Sequence, residues 1–208
     1  MATFLRTLSY RYQSLYDGIS WLAALSVGGE ARFRQLALQN LEITIDTKVL
    51  DLCCGCGQTT KFLVQKSNLV TGLDISPVSL QRAAKNVPEA KYVEGLAQDM
   101  PLASSSIDIV HTSSALHEMT TTELEQIFSE VYRILESGGI FTLIDFHAPT
   151  NSLFWFPLAI FMWLFETETA WQLLKTDLIE KLEDSGFQLL NRSFHAGGSL
   201  QVIQVIKP

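Results

Sequence analysis

Short apolar runs and amphipathic segments alternate along most of this chain, and that pattern predicts alternating strands and helices. Apolar stretches of strand length lie at 48–52, 69–74, 91–94, 107–112, 140–145, 188–194 and 199–206. Apolar side chains at helical spacing predict helices at 30–40, 58–65, 122–136 and 177–185. A further helix should begin after Ser76, because serine is a good N-cap and Pro77 suits the first helical position. Apolar strands joined by helices indicate a parallel sheet that is covered on both faces.

Both ends of the chain depart from this alternation. The last two predicted strands are separated only by residues 195–198, which are too few for a helical crossover, so we expect an antiparallel hairpin. Residues 1–40 show helical spacing alone. The predicted fold is therefore α/β: a doubly wound seven-stranded sheet, mostly parallel with one antiparallel edge strand, and a helical N-terminal cap. Gly138 and Gly139 are expected to cap the 122–136 helix at its C-terminus.

A single domain of 208 residues accommodates these elements. We expect a helical cap at 1–42, a ligand-binding core at 43–147, an apolar insert or lid at 148–175, and a final helix with the antiparallel strands at 176–208. Within the insert, residues 153–165 read LFWFPLAIFMWLF. This run is shorter than the ~20 residues of a membrane-spanning helix, and a proline interrupts it. A buried helix, a lid over an apolar substrate and a membrane-surface contact all fit the segment.

The charge balance and the cysteines narrow the class of partner. The chain has 15 lysines and arginines against 22 aspartates and glutamates, a formal net charge of −7, which argues against nucleic acid as a partner. Cys53, Cys54 and Cys56 are too close together for a disulfide framework and lack the second pair that a structural zinc needs, so we expect no metal. The sequence opens without a signal-peptide pattern. We expect a cytoplasmic protein, monomeric or homodimeric, with residues 153–165 as a candidate peripheral membrane contact.

The predicted strand ends carry a candidate ligand site. The first strand ends near Asp51 and leads into a loop with Gly55 and Gly57, and the second strand ends at Asp74. Ligands of doubly wound sheets bind at the carboxyl ends of the strands, where glycines let them approach the backbone. A carboxylate there can accept two hydrogen bonds from a ribose diol. The loop lacks the full G-x-G-x-x-G pattern, which favours a ligand with a ribose but without phosphates.

Four motifs in this order resemble a known family. They are VLDLCCGCGQTT (49–60), GLDIS (72–76), IDIVHTSSALHEM (107–119) and RILESGGIFTLIDF (133–146). Over residues 45–147 they resemble class I S-adenosylmethionine-dependent methyltransferases of the type 11 domain group, which have a Rossmann-like fold with a two-strand ending. The Asp-Leu-Cys-Cys-Gly variant is similar to the C-methyltransferases of ubiquinone and menaquinone synthesis.

The resemblance implies S-adenosylmethionine as cofactor and S-adenosylhomocysteine as product. By that resemblance, Asp51 and the backbone around Gly55 and Gly57 would hold the amino-acid end of the cofactor, and Asp74 the ribose hydroxyls. The adenine would lie against residues that follow the second and third strands: Ile75, Ala97 and Gln98.

The sequence departs from the family pattern at two positions. Cys53 stands where the family has its first glycine, and the resemblance implies that it lies against the cofactor in that glycine's place. Leu96 stands where the family often has an aspartate that accepts from the adenine amino group. Another acceptor, Gln98 or Asp99, must then take that role. In the N-terminal cap, Tyr16 has two interpretations: it packs against the domain, or it contacts the cofactor sulfonium through a cation–π interaction.

Methyl transfer from a sulfonium is an in-line displacement, so the protein mainly aligns the reactants. A base is needed only when the acceptor still holds a proton. His117, Asp145 and His147 follow the fourth and fifth strands and are candidate bases, although each also fits a polar residue at the rim. The apolar insert favours a small hydrophobic acceptor such as a quinone, a phenol or a lipid-like molecule. Three alternatives stay open: a non-catalytic S-adenosylmethionine-binding protein, a membrane-surface interaction protein and an NAD-dependent oxidoreductase.

Overall fold

In the computed structural model, which describes residues 24–208, seven strands form one sheet in the order β3-β2-β1-β4-β5-β7-β6. The strands are β1 (Lys48–Leu52), β2 (Leu69–Asp74), β3 (Lys91–Glu94), β4 (Ile107–Ser113), β5 (Leu135–Phe146), β6 (Gln188–His195) and β7 (Leu200–Ile206). From β1 the chain moves outward to β3 and then returns to the other side of β1 as β4. The strand order reverses between β1 and β4, so a ligand cleft is expected at the carboxyl ends of these two strands.

The helices cover this sheet and confirm most of the predicted elements. They are α1 (Glu30–Leu36), α2 (Thr60–Leu63), α3 (Pro77–Asn86), α4 (Thr121–Ile134), α5 (Trp155–Phe165), α6 (Glu168–Leu173) and α7 (Leu178–Asp184), with 3-10 turns at Leu116–Glu118, Ser152–Phe154 and Ala196–Gly198. The predicted cap of α3 is present, because the Ser76 hydroxyl accepts a hydrogen bond from the Ser79 amide. The predicted helices at 30–40 and 58–65 are shorter in the structure, at α1 and α2.

The mixed sheet is confirmed, and the topology shows where its reversed strand lies. β1 to β5 are parallel, and β7 is antiparallel to both β5 and β6. β7 occupies the position between β5 and β6, so the outermost strand is β6. The burial of the two strands agrees with this order. Residues Leu200–Gln204 of the inner strand β7 are buried throughout, whereas the outer strand β6 exposes Leu189, Leu190 and Phe194.

The prediction that Gly138 and Gly139 cap α4 is wrong. α4 ends at Ile134, and both glycines lie inside β5, which begins at Leu135. Leu135 is fully buried and pairs with Ile107 of β4. Sheet pairing of a buried leucine therefore ends the helix two residues earlier than its helical periodicity suggested. Gly138, with φ of +82°, takes a backbone bend within the strand.

The core is built mainly between α4, α7 and one face of the sheet. The buried face of α4 includes Leu124, Ile127, Phe128 and Val131, and Phe128 packs against Phe141 of β5 at a ring-centroid distance of 6.1 Å. Residues 1–23 of the predicted helical cap, with Tyr16, lie outside the described residues.

The apolar insert is helical but only partly buried. Leu158 and Met162 of α5 face inward, whereas Leu153, Phe156 and Trp163 are exposed by 79%, 75% and 74%. α5 has 11 residues and is therefore about 16 Å long, against the ~30 Å of a bilayer core. None of the helices within residues 24–208 combines the length and apolarity needed to cross a membrane.

Candidate active site

A cleft of about 490 Å³ lies at the carboxyl ends of β1, β2 and β4, where the topology predicts it. Seven of the nine predicted cofactor residues line it: Asp51, Cys53, Gly55, Asp74, Ile75, Ala97 and Gln98. Gly57 does not line the cleft. With φ of +84°, it lets the loop turn against α3, where an added Cβ would meet Val87 and Ala83 at 3.4 and 3.5 Å. Tyr16, the ninth, is among the residues that the structure does not describe.

The Asp74 carboxylate is held by the backbone on both sides. Its Oδ2 accepts from the Gly55 amide at 2.9 Å, and its Oδ1 accepts from the Ser76 amide at 2.9 Å. These bonds fix the plane of the carboxylate at the end of β2 and leave further lone pairs on both oxygens. The group can therefore accept two hydrogen bonds from a diol in the cleft.

Asp51 lies deeper and is also held at both oxygens. It is 2% exposed; its Oδ2 accepts from the Thr60 hydroxyl at 2.6 Å, and its Oδ1 lies 2.9 Å from Nδ1 of His111. Because Asp51 lines the cleft, it places negative charge at its inner end. A cationic group of a ligand would be stabilised there.

Sequence reasoning missed Arg34 of α1, which lines the same cleft. The side chain is 7% exposed, its Nε finds no hydrogen-bond partner within residues 24–208, and Glu30 lies 3.9 Å away. Only the packing of α1 over the sheet brings this guanidinium to the site, so no local motif could have revealed it. Arg34 and Asp51 together offer opposite charges to a zwitterionic ligand.

The thiols of Cys53 and Cys54 remain neutral and act in packing. Burial raises the pKa of Cys53 to about 12, with the nearby carboxylates of Asp74 and Asp51 acting in the same direction. Burial likewise raises the pKa of Cys54 far above its usual range. Neither side chain offers a thiolate at neutral pH, so neither is suited to nucleophilic attack.

Asp145, a predicted base, holds the turn that follows β4. Its Oδ2 accepts from the amides of Ala115, Leu116 and His117 at 3.1, 2.8 and 3.3 Å. Its Oδ1 accepts from the Phe146 amide at 2.8 Å and lies 2.7 Å from Nδ1 of His117. With five donors around it and 1% exposure, this carboxylate fixes the turn and is not a lining residue of the cleft.

His117, the second predicted base, sits among three carboxylates. Besides Asp145, its Nε2 lies 3.5 Å from Oε2 of Glu166 and 3.9 Å from Oε1 of Glu118. Burial lowers the pKa of this imidazole, but Asp145, Glu166 and Glu118 outweigh it and raise the pKa to about 9. At neutral pH the ring is therefore a cation and is not available to accept a proton.

The same side chains form a potential metal-ligand cluster. Possible ligand atoms of His117, Glu118 and Glu166 lie within 4.8 Å of one another. The absence of a metal here stays a prediction of the sequence.

His147 points to the terminal hairpin. Its Nδ1 lies 3.0 Å from the carbonyl oxygen of Gly198, and its ring packs on Phe194 with centroids 4.7 Å apart. None of the three predicted bases lines the cleft; from the end of β4 and the turn after it, the cleft is lined by Ser113, Ser114, Ala115, Glu118 and Met119. Strand-end position pointed to this segment, but it could not tell which side chains turn inward.

We expect the charge on His117 to make stability depend on pH. Because its folded pKa of about 9 exceeds the ordinary value of 6.5, its contribution, of the order of 3 kcal/mol, is complete below pH 6.5 and is lost as pH rises through 9. Urea unfolding between pH 6 and 9 should show this fall, and His117→Gln should flatten it. His147→Gln is the control and should keep the wild-type slope; an equal slope in His117→Gln would contradict the expectation.

Comparisons with known proteins identify the family. Residues 49–139 match the family model of a methyltransferase domain. The chain is 58% identical over 204 residues to an uncharacterized methyltransferase, sll0829, of Synechocystis sp. (strain ATCC 27184 / PCC 6803 / Kazusa), with 98% of this chain and 96% of that protein covered. It is 31% identical over 132 residues to the ubiquinone/menaquinone biosynthesis C-methyltransferase UbiE of Campylobacter jejuni serotype O:6, which covers 59% of this chain and 55% of that protein.

A solved structure matches the fold. The geranyl diphosphate C-methyltransferase of Streptomyces coelicolor A3(2), in complex with Mg²⁺, geranyl diphosphate and S-adenosylhomocysteine, superposes with a TM-score of 0.64 at 14% identity, over 86% of this chain and 81% of that one. The fold, the strand-end cleft and the relatives agree: the chain belongs to the class I S-adenosylmethionine-dependent methyltransferases, and S-adenosylmethionine is its cofactor.

Proposed function

We propose that this methyltransferase binds its cofactor in the 490 Å³ cleft and transfers the methyl group to a small hydrophobic acceptor, such as a quinol, a phenol or a lipid-like molecule. The observation that carries the cofactor's placement is the Asp74 carboxylate, which two backbone amides orient at the end of β2. The side chains of the cleft match the polar groups of the cofactor along its length. Asp74 would accept from the ribose, Asp51 from the ammonium group, and Arg34 would pair with the carboxylate.

The adenine half of the cleft is less polar. Ile75 and Leu96 are exposed by 64% and 48%, and they line the cleft with Ala97 and Gln98. These apolar side chains can cover the faces of a purine ring, and the Gln98 amide offers an acceptor for its amino group. This supports the role that the resemblance implied for the segment after β3.

The bound cofactor supplies an activated methyl group, and the residues of the chain align the acceptor with it. Alignment of this kind is worth about 7–11 kcal/mol. Protonated His117 and fully bonded Asp145 act as positioning residues in this proposal, because they hold the turn that carries Glu118 and Met119. Glu118 is the ionisable side chain of that turn that lines the cleft, and it would take the proton of an acceptor that has to lose one.

Aromatic contacts connect that turn to the apolar insert and support a hydrophobic acceptor. The His117 ring lies 4.7 Å from Phe146, Phe146 lies 5.8 Å from Phe161, and Phe161 lies 5.4 Å from Phe165. An apolar acceptor that meets the cofactor near Glu118 could extend along these rings toward α5. The name of the UbiE relative, a quinone-synthesis C-methyltransferase, is consistent with such an acceptor.

A second proposal concerns the exposed side of α5. Residues 146–165 contain no charged side chain, and Leu153, Phe156 and Trp163 are largely exposed. Exposed apolar and aromatic side chains of this kind can enter the interface of a bilayer, where tryptophans lie at headgroup level. Such a contact would give the enzyme access to acceptors that are dissolved in the membrane.

Asp74→Ala should weaken binding of S-adenosylhomocysteine at least tenfold, because hydrogen bonds to a charged group contribute about 1.5 kcal/mol or more. Isothermal titration measures the change. Asp46→Ala removes an exposed aspartate outside the cleft and should leave the affinity unaltered. Unchanged affinity in a folded Asp74→Ala protein would show that the ribose lies elsewhere.

The acceptor class is tested with a series of hydroquinones that carry no side chain, one isoprene unit or several, and with radiolabelled S-adenosylmethionine. We expect kcat/KM to rise with chain length, and Phe161→Ala to reduce it several-fold for the long acceptors only. Leu190→Ala, on the exposed strand β6, is the control. Equal activity on all three lengths would contradict a hydrophobic acceptor, and no activity on any of them would exclude a quinol as the acceptor.

For the membrane contact, wild-type protein should float with vesicles of phosphatidylcholine and phosphatidylglycerol, and Trp155→Ala/Trp163→Ala should stay in the soluble fraction. Interfacial tryptophans account for the difference. The Leu190→Ala protein should float like the wild type. The proposal fails if the wild type does not associate with vesicles, or if the double variant associates equally.

A further inference from the structure

One row of the sheet brings an aspartate and a histidine together beneath the cleft. Asp51 of β1 pairs with His111 of β4 in the parallel register. Side chains of residues paired in this way point to the same face of the sheet. Both are buried, His111 with 0% and Asp51 with 2% exposure.

Two side chains contact the Asp51 carboxylate, one at each oxygen. His111 Nδ1 lies 2.9 Å from Asp51 Oδ1, and the Thr60 hydroxyl donates to Oδ2 at 2.6 Å. The opposite ring nitrogen, Nε2, is buried and has no hydrogen-bond partner within residues 24–208. Among residues 24–208, the imidazole therefore makes its side-chain hydrogen bond to Asp51 alone.

The geometry distinguishes the two residues by their access to a ligand. Asp51 lines the cleft, and His111 does not. A histidine that sits behind a buried carboxylate and donates to one of its oxygens fixes the direction in which the remaining lone pairs point. We propose that His111 is a positioning residue, which orients the Asp51 carboxylate toward the amino group of the cofactor.

This inference rests on the proposed role of Asp51 at the amino-acid end of the cofactor. It goes beyond that role, because it makes recognition of the ammonium group depend on a residue of β4 that touches no ligand. The adenosine end is held by other side chains, Asp74 and those after β3. Loss of His111 should therefore act on one end of the ligand only.

Two ligands test the amino-acid end and the adenosine end of the cofactor site separately. S-adenosylhomocysteine has the amino acid, and 5′-methylthioadenosine keeps the adenine and the ribose but lacks it. Titration calorimetry on the purified full-length chain should show that His111→Leu, which removes the donor, weakens S-adenosylhomocysteine about tenfold and leaves 5′-methylthioadenosine within twofold. His111→Asn places an amide nitrogen where Nδ1 stands and should restore most of the affinity.

Thr142→Val is the matched control. Thr142 is the next residue in the same row, on β5, and is equally buried, but it donates to the carbonyl oxygen of Ala37 and not to Asp51. The Thr142→Val variant should leave the ratio of the affinities for S-adenosylhomocysteine and 5′-methylthioadenosine unchanged. If His111→Leu weakens both ligands equally, or neither, His111 has no positioning role.

Asp51→Asn tells the two proposals apart. It should also weaken S-adenosylhomocysteine selectively, and adding His111→Leu to it should weaken binding no further, because both act through one carboxylate. If Asp51→Asn leaves the ratio unchanged, the proposed role of Asp51 is wrong. If Asp51→Asn alters the ratio and His111→Leu does not, only the inference about His111 is wrong. Should His111→Leu fail to fold, His111→Gln takes its place, because its longer side chain carries the amide nitrogen away from the position of Nδ1 and should also weaken S-adenosylhomocysteine selectively.

Discussion

Parallel strands end together at one edge of the sheet, and the peptide amides beyond that edge have no ladder partners. In this protein two strand-end carboxylates accept from those amides. Asp74 accepts from the amides of Gly55 and Ser76. Asp145 accepts from those of Ala115, Leu116, His117 and Phe146. Buried amides are costly to leave unpaired, so these bonds determine the path of both loops. The cleft between the loops, and every role proposed for its residues, depends on that constraint.

Buried charge in the site is balanced locally. Asp51 is matched by a histidine and a hydroxyl, and Asp145 by amides and the imidazolium of His117. Within this frame the cleft presents Arg34 and Asp51 at its inner end and apolar side chains toward Ile75. The polarity thus changes along the cleft as it does along the cofactor, from a zwitterion through a ribose to a purine. A methyltransferase needs this match more than it needs a strong base, because its donor is already activated.

In the proposed function, the apolar insert binds the methyl acceptor. Phe146 touches the His117 ring on one side and Phe161 of α5 on the other, so the aromatic contacts of the insert begin at the turn that shapes the cleft. On its far side α5 leaves Phe156 and Trp163 exposed. In the proposed function, this one short helix would serve both an apolar acceptor and the membrane contact, without a change in the sheet that forms the cleft.

Local sequence determined the elements whose bounds depend only on residues that are near in the chain. Strands β1, β2 and β3 have their predicted bounds because compact apolar runs between polar turns define them, and α3 begins at Ser76 because the cap is a local bond. Only the tertiary structure decided what depends on distant partners. Pairing of Leu135 with Ile107 moved the end of α4, α1 brought Arg34 to the cleft, and Glu166 of the insert helped to make His117 a cation. Register and burial set these outcomes, and neither is contained in the spacing of residues along one segment.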